Sequence, residues 1–244
     1  METFINEKCI VITFTDINYL DIFNIFYSKF QKLNLNNLLV VSLDVNTYEH
    51  LKNRNINTIY EPFEFKNNKN KFWYFRLTII NKIFQENKKN IIHTDADCFW
   101  LKNILEEINK ISHNYDIIGS IGFGQPKKIV QELGFSLCCG FYFIKYSKQT
   151  MNIFDKIVNE RPDFLDDQVV FNNYIYNNKK KISENHKDYL IYKDIILNDN
   201  TRIGIIKNNC ISRDYKCNLY CYHPYLLKKT TQDKILELIN RLMK

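Results

Sequence analysis

Lys8 to Phe14 (KCIVITF) is a continuous apolar, largely β-branched run that stops at Thr15, Asp16 and Asn18. A run without polar alternation fits a strand buried on both faces, and the polar stop fits a loop at its carboxyl end. Tyr19 to Leu33 then places Leu20, Phe23, Phe26, Phe30 and Leu33 on one helical face, and Leu38 to Leu43 is a second buried strand. This β-α-β opening points to an α/β sheet. The pattern continues with a short helix over Thr47 to Asn53, a strand over Ile56 to Tyr60, and a longer helix over about Lys71 to Gln85. Ile91 to Thr94 is a strand that runs directly into Asp95-Ala96-Asp97.

Helix Asn103 to Ile111, strand Asp116 to Ser120, a Gly/Pro loop over Gly122 to Pro126, strand Phe135 to Ile144, and helices Ser147 to Val158 and Leu165 to Tyr176 follow. Beyond Asn177 the pattern weakens, with short strands at Asp194 to Leu197, Ile203 to Ile206 and Leu219 to Tyr222 and a closing amphipathic helix over Thr231 to Met243. No linker divides the chain, so one domain over 1–244 with a mixed, mostly parallel, Rossmann-like sheet flanked by helices is expected.

Composition changes this picture little. The abundant Asn and Lys would suggest disorder, but 18 Phe and 16 Tyr in 244 residues are far more than a disordered chain carries. No apolar run approaches the roughly 20 residues of a transmembrane helix, and the first residues lack the basic-then-apolar pattern of a signal peptide. Seven cysteines without a repeating framework, and no Asn-x-Ser/Thr sequon, fit a reducing, cytoplasmic compartment. The net charge of +7 comes from scattered lysines, with Lys179 to Lys181 the only triple. That reads as a solvated surface, with no nucleic-acid partner expected.

The feature with most chemistry is Ile91-Ile92-His93-Thr94-Asp95-Ala96-Asp97. Two carboxylates one residue apart at the carboxyl end of a buried strand stand where open α/β sheets bind ligands. Both are hard oxygen donors suited to Mg²⁺ or Mn²⁺, and a cation so held bridges phosphates and neutralises charge on a departing diphosphate. Any strand can end in polar turn residues, so the motif is not decisive alone.

Five further segments stand in order around it: Ile12-Thr13-Phe14-Thr15-Asp16-Ile17-Asn18-Tyr19, Phe75-Arg76-Leu77, Cys139-Gly140-Phe141-Tyr142-Phe143, Asp167-Gln168-Val169-Val170-Phe171-Asn172 and Tyr222-His223-Pro224. Together with Asp95-Ala96-Asp97 they resemble the nucleotide-diphospho-sugar glycosyltransferases of the GT-A fold. Within these, they resemble in particular the retaining galactosyltransferase and glycogenin-like group and the related nucleotide-diphospho-sugar transferase family. The resemblance spans nearly the whole chain.

It implies a glycosyltransferase with its nucleotide-binding part over about 1–100 and its acceptor and metal-completing part over about 101–244. Thr13, Phe14, Thr15, Asp16, Asn18 and Tyr19 would hold the base and ribose, and Arg76, Ala96, Cys138, Cys139 and Gly140 would meet the donor sugar and phosphates. Asp95, Asp97 and His223 would hold Mn²⁺ or Mg²⁺. Asp167 and Gln168 would stand beside the anomeric carbon, with Asp166 either catalytic or a helix cap. The donor would be a nucleotide-sugar, most plainly a UDP-sugar, and the acceptor an unspecified glycan, protein or small molecule.

The chain departs from the resemblance at two places. Cys138 stands where that family usually has Asn, so the donor sugar does not carry over. Leu226 replaces a glycine after the histidine, while Lys229 keeps the spacing of a diphosphate-binding lysine, with Lys228 as its rival. His93 reads as structural, and Cys210, Cys217, Cys221 and His223 lack the Cys-x-x-Cys spacing usual for zinc. Two other functions share parts of this pattern. A two-metal nucleotidyltransferase needs an upstream Gly-Ser turn, and Asn81 to Gln85 contains neither residue. A non-catalytic carbohydrate- or nucleotide-sugar-binding module would share the fold.

Overall fold

The computed structural model describes residues 9–65, 69–159, 166–185, 188–215, 218–224 and 233. The strands are β1 (Cys9–Thr15), β2 (Leu38–Ser42), β3 (Thr58–Tyr60), β4 (Asn90–Thr94), β5 (Phe99–Trp100), β6 (Ile117–Gly122), β7 (Ser136–Ile144), β8 (Lys179–Glu184), β9 (Ile191–Leu197), β10 (Arg202–Ile206), β11 (Ile211–Ser212) and β12 (Cys221–Tyr222). The helices are α1 (Leu20–Lys32), α2 (Val45–Asn53), α3 (Lys69–Asn87), α4 (Ile104–Ile111), α5 (Lys127–Leu133), α6 (Lys148–Asn159) and α7 (Asp167–Asn178). The closing helix expected over Thr231 to Met243 lies outside the described residues, Asp233 excepted, as do Cys217, Leu226, Lys228 and Lys229.

Nine strands form one sheet in the order β3-β2-β1-β4-β7-β6-β10-β9-β8, and β11-β12-β5 form a small second one. In the large sheet only β7 and β9 run against the rest, so the mixed, mostly parallel sheet is as expected. The apolar strands are buried on both faces because helices cover both. Val11 and Ile92 face a layer that includes Phe23, Phe26 and Phe30 of α1 and Ile104, Leu105 and Ile108 of α4. Their neighbours Ile12 and Ile91 face Ile80, Ile83 and Phe84 of α3, Phe154 of α6 and Phe171 of α7. Period-2 alternation thus divides one continuous run between two cores. Among the described residues no helix is long and apolar enough to cross a membrane.

Two elements, β8 and α5, go beyond the expected pattern. The chain past Asn177 is not irregular: β8 pairs antiparallel with β9, and β9 with β10, extending the main sheet. The Lys179 to Lys181 triple belongs to β8, an edge strand, where lysines discourage pairing with another chain. The Gly122 to Pro126 loop is followed by a short helix, α5, closed by Gly134 at φ 78°, which sequence periodicity over seven residues did not reveal.

From β1 the chain moves outward through β2 and β3 and returns on the other side as β4. The carboxyl ends of β1 and β4 therefore flank a point where strand order reverses, the usual crevice for ligands in such sheets. The loop after Thr15 and the Asp95-Ala96-Asp97 turn both open there.

Candidate active site

Three separate pieces of chain bring Asp95, Asp97 and His223 together. Asp95 follows β4 and its N–H donates to the Gly140 carbonyl at 2.9 Å, while the Cys98 N–H closes the turn onto the Asp95 carbonyl at 2.9 Å. The chain continues into β5, against which β12 pairs antiparallel with Tyr222 opposite Phe99. That register delivers His223 to the aspartates, and its N–H is held by the Ser212 carbonyl of β11 at 2.9 Å. His223 Nε2 lies 3.4 Å from Asp95 Oδ2 and 3.3 Å from Asp97 Oδ1.

One ligand atom from each of the three lies within 4.8 Å of the others. Two carboxylates and an imidazole converging in this way fit a hard or borderline divalent cation. Burial opposes charge on Asp95, but Arg76, with His223 and His93, holds its carboxyl well below the usual range. Burial and Arg213 oppose charge on His223, yet Cys98, Asp95 and Asp97 outweigh them and raise it well above an ordinary imidazole.

Arg76 on α3 is buried, 4% exposed, and joins two carboxylates. Its Nη1 donates to Asp95 Oδ1 at 2.7 Å, its Nε donates to Asp167 Oδ2 at 2.8 Å, and its Nη2 donates to the same Asp167 oxygen. The guanidinium also lies 4.5 Å over the Trp73 ring. Burial pushes the Asp167 carboxyl up to about 6, with Arg76 opposing and Asp166 adding to the shift.

The start of α7 is fixed from two sides. Asp166 Oδ1 accepts from the Gln168 N–H at 2.8 Å, the capping role weighed for it from the sequence. The Gln168 side chain accepts from the Cys139 N–H at 3.3 Å and donates to the Gln125 carbonyl at 2.8 Å. Asn172 clamps both the N–H and the carbonyl of Leu137 at 2.7 Å, tying α7 to β7.

At the β1 end, Asp16 accepts from the Tyr19 N–H at 2.9 Å and from Asn18 Nδ2 at 3.2 Å. The Tyr19 hydroxyl donates to Asp97 Oδ2 at 2.7 Å, and burial and Asp97 keep it protonated by raising its pKa. Thr15 closes β1 with its side chain buried, and Ala96 is buried within the Asp-Ala-Asp turn. Thr13 and Phe14 are different: the Thr13 side chain is fully buried in the sheet, and Phe14 packs on Phe72 and His93 in the α3 layer. Their side chains are not brought to the site with the others.

Cys138 and Cys139 are buried on β7, and Gly140 sits directly under Asp95 and His223. One residue near the site was missed: Arg213, half-buried after β11, donates from Nη2 to Cys138 Sγ at 3.3 Å and from Nη1 to the Pro224 carbonyl at 3.3 Å. Burial opposes ionisation of Cys138, but His223 and Arg213 bring its thiol down to about 7. No local motif marks Arg213, because its contacts run to β7 and to the residue after His223. His93, lowered to about 4 by burial, is neutral near pH 7, and its Nε2 lies 3.3 Å from Asp95 Oδ1.

The mixed, mostly parallel sheet with an acidic and histidine cluster at its switch point is consistent with a GT-A-like fold. The model of the nucleotide-diphospho-sugar transferase family matches residues 33–228, and the chain belongs to that family. It is a glycosyltransferase. Its fold is similar to that of the galactosyltransferase LgtC, solved with donor and acceptor sugar analogs, at TM-score 0.56 and 10% identity over 94% of this chain and 95% of that one. It is also similar to a glycosyltransferase involved in glycosylation of the major capsid of PBCV-1, at TM-score 0.51 and 14% identity over 95% and 98% of the two chains. No curated protein matches its sequence.

Proposed function

We propose that this glycosyltransferase takes its sugar from a nucleoside-diphosphate sugar, a UDP-sugar, and transfers it with retention to an acceptor, using Mn²⁺ or Mg²⁺ held by Asp95, Asp97 and His223. The observation that carries the reading is the convergence of those three residues at the β1–β4 switch point. A cation held there would supply positive charge that stabilises the leaving diphosphate.

The chain's own residues do the rest. The loop bearing Thr15, Asp16, Asn18 and Tyr19 receives the nucleoside, and Thr13 and Phe14 anchor that loop from within β1. Cys138, Cys139 and Gly140 form the floor beneath the sugar, next to Ala96, and Lys229 adds a cation for the diphosphate. Arg76 holds Asp95 and Asp167 in fixed relation, so that metal site and sugar site keep one geometry. Asp167 orients the sugar, while Asp166 acts on it through the helix start that it caps.

Gln168 decides the stereochemistry. Its amide is not a base at neutral pH, and it is anchored on Cys139 and Gln125 beside the sugar floor. Inversion needs a carboxylate base on the face opposite the leaving group. With an amide there, the bond from C1 to the diphosphate oxygen breaks and its electron pair leaves with the diphosphate. The acceptor oxygen then bonds C1 on the same face, and its proton passes to that diphosphate oxygen. NMR of the first glycoside formed from an α-linked donor tests this. An α product is expected; a β product refutes retention and makes Asp166 or Asp167 the base. The cytoplasmic compartment remains our reading, supported by the six described cysteines, all free thiols.

A further inference from the structure

The resemblance assigns Tyr19 to the nucleotide, yet its hydroxyl is occupied elsewhere. Tyr19 is anchored by its own backbone: its N–H donates to the Asp16 carbonyl at 3.0 Å, and its carbonyl accepts from the Phe23 N–H at 3.0 Å as α1 begins. From that fixed point the side chain crosses from the β1–α1 loop to the turn after β4 and donates to Asp97 Oδ2 at 2.7 Å, across 78 positions of sequence. The other carboxylate oxygen, Oδ1, is the one that faces His223 Nε2 at 3.3 Å. One oxygen of Asp97 is therefore committed to the phenol while its partner is aimed into the Asp95 and His223 cluster.

We propose that Tyr19 is a positioning residue that fixes Asp97 as a one-oxygen metal ligand and so ties the nucleotide loop to the cation site. The proposal rests on the metal reading given above. A hydrogen bond to a ligating carboxylate sets its orientation and tunes its affinity for metal. Without the hydroxyl, Asp97 is free to rotate, and ordering it again on metal binding costs side-chain entropy. Because Asp16, Asn18 and Tyr19 share one loop, a ligand that orders the loop also orders Asp97. Nucleotide and metal must then strengthen each other's binding by the same factor.

Tyr19→Phe separates this role from ring contact with a base, since it keeps the ring and removes only the hydroxyl. Mn²⁺ affinity is measured by electron paramagnetic resonance of free Mn²⁺, without nucleotide, in the native protein, in Tyr19→Phe and in Asp97→Asn. UDP affinity is then measured by calorimetry with and without Mn²⁺. The expected result is roughly ten- to hundredfold weaker Mn²⁺ binding in Tyr19→Phe, the usual effect of losing such an outer partner. The factor by which Mn²⁺ and UDP help each other should shrink with it. If Tyr19→Phe binds Mn²⁺ as tightly as native protein while Asp97→Asn does not, the positioning role is overturned and the metal site stands. If Asp97→Asn also binds Mn²⁺ like native protein, the metal reading falls and the proposal with it.

Discussion

Replacing Gly140 with alanine will remove metal-dependent sugar transfer. A Cβ at this position would lie 2.1 Å from His223 Cε1, 2.6 Å from Asp95 Oδ2 and 3.0 Å from His223 Nδ1. The requirement is for space: among the described glycines Gly134 has the left-handed backbone, and Gly140 does not. Neither neighbour yields cheaply. His223 is buried and its backbone is held to Ser212, while the Asp95 N–H is bonded to the Gly140 carbonyl itself. Relief of the clash must push His223 or the Asp95 turn away, opening the cluster. Displacement of a reacting geometry by about 1 Å costs on the order of a hundredfold in rate, so turnover should fall by at least about that much. Mn²⁺ affinity should fall with it. Native turnover in Gly140→Ala would show that Asp95 and His223 do not need to meet beside this strand.

The second large effect is on stability. In Arg76→Met, with a side chain of similar reach, Asp95 and Asp167 lose the cation they share, and Asp167 is left buried at 3% exposure. Removing one partner of a buried ion pair typically costs about 3–5 kcal/mol, because the remaining charge has no compensation. In a domain of this size that corresponds to a melting temperature lower by about 10 °C. Arg76→Lys is a poor rescue, since one ammonium cannot reproduce the separate Nε, Nη1 and Nη2 contacts.

The pH dependence has a definite sign. The Asp167 carboxyl is already raised to about 6 in the native protein and rises further without Arg76. A carboxyl whose folded pKa is raised favours folding at low pH and loses that contribution as pH climbs through the folded value. The deficit of Arg76→Met should therefore be smaller at pH 5 than at pH 8 in scanning calorimetry. An unchanged melting temperature at pH 8 would contradict the buried bridge.

Much of the fold was readable because the first strands are continuous apolar runs between helices with a clear apolar stripe. β1, β2 and β4 match the expected spans within one or two residues. The Asp95-Ala96-Asp97 turn was visible because it interrupts such a run with two charges. β8 was not, since Lys-Lys-Lys-Ile-Ser-Glu on a sheet edge carries too few apolar residues to signal a strand. β5 and β11 have two residues each, below any periodicity, while β12 falls within the strand expected over Leu219 to Tyr222; the pairing of the three explains why His223 reaches Asp97. The antiparallel direction of β7 and the contact of Arg213 with Cys138 are tertiary facts with no local trace. His223 could be named only through resemblance, because one histidine near a chain end signals nothing by itself. Arg76 likewise could be named only through the resemblance, and its pairing with Asp167 of α7 has no local trace.

The central claim is that the Asp95, Asp97 and His223 cluster holds a divalent cation on which use of a nucleotide-sugar depends. Slow donor hydrolysis tests it most directly, since it needs no acceptor. Native protein and Asp97→Asn are incubated with UDP- and GDP-sugars, with Mn²⁺ and after chelation, and release of the nucleoside diphosphate is followed. Hydrolysis of at least one UDP-sugar by native protein, only with metal and strongly reduced in Asp97→Asn, is the predicted result. Hydrolysis that is equal with and without metal in both proteins, or no hydrolysis or binding of any sugar nucleotide, would contradict it.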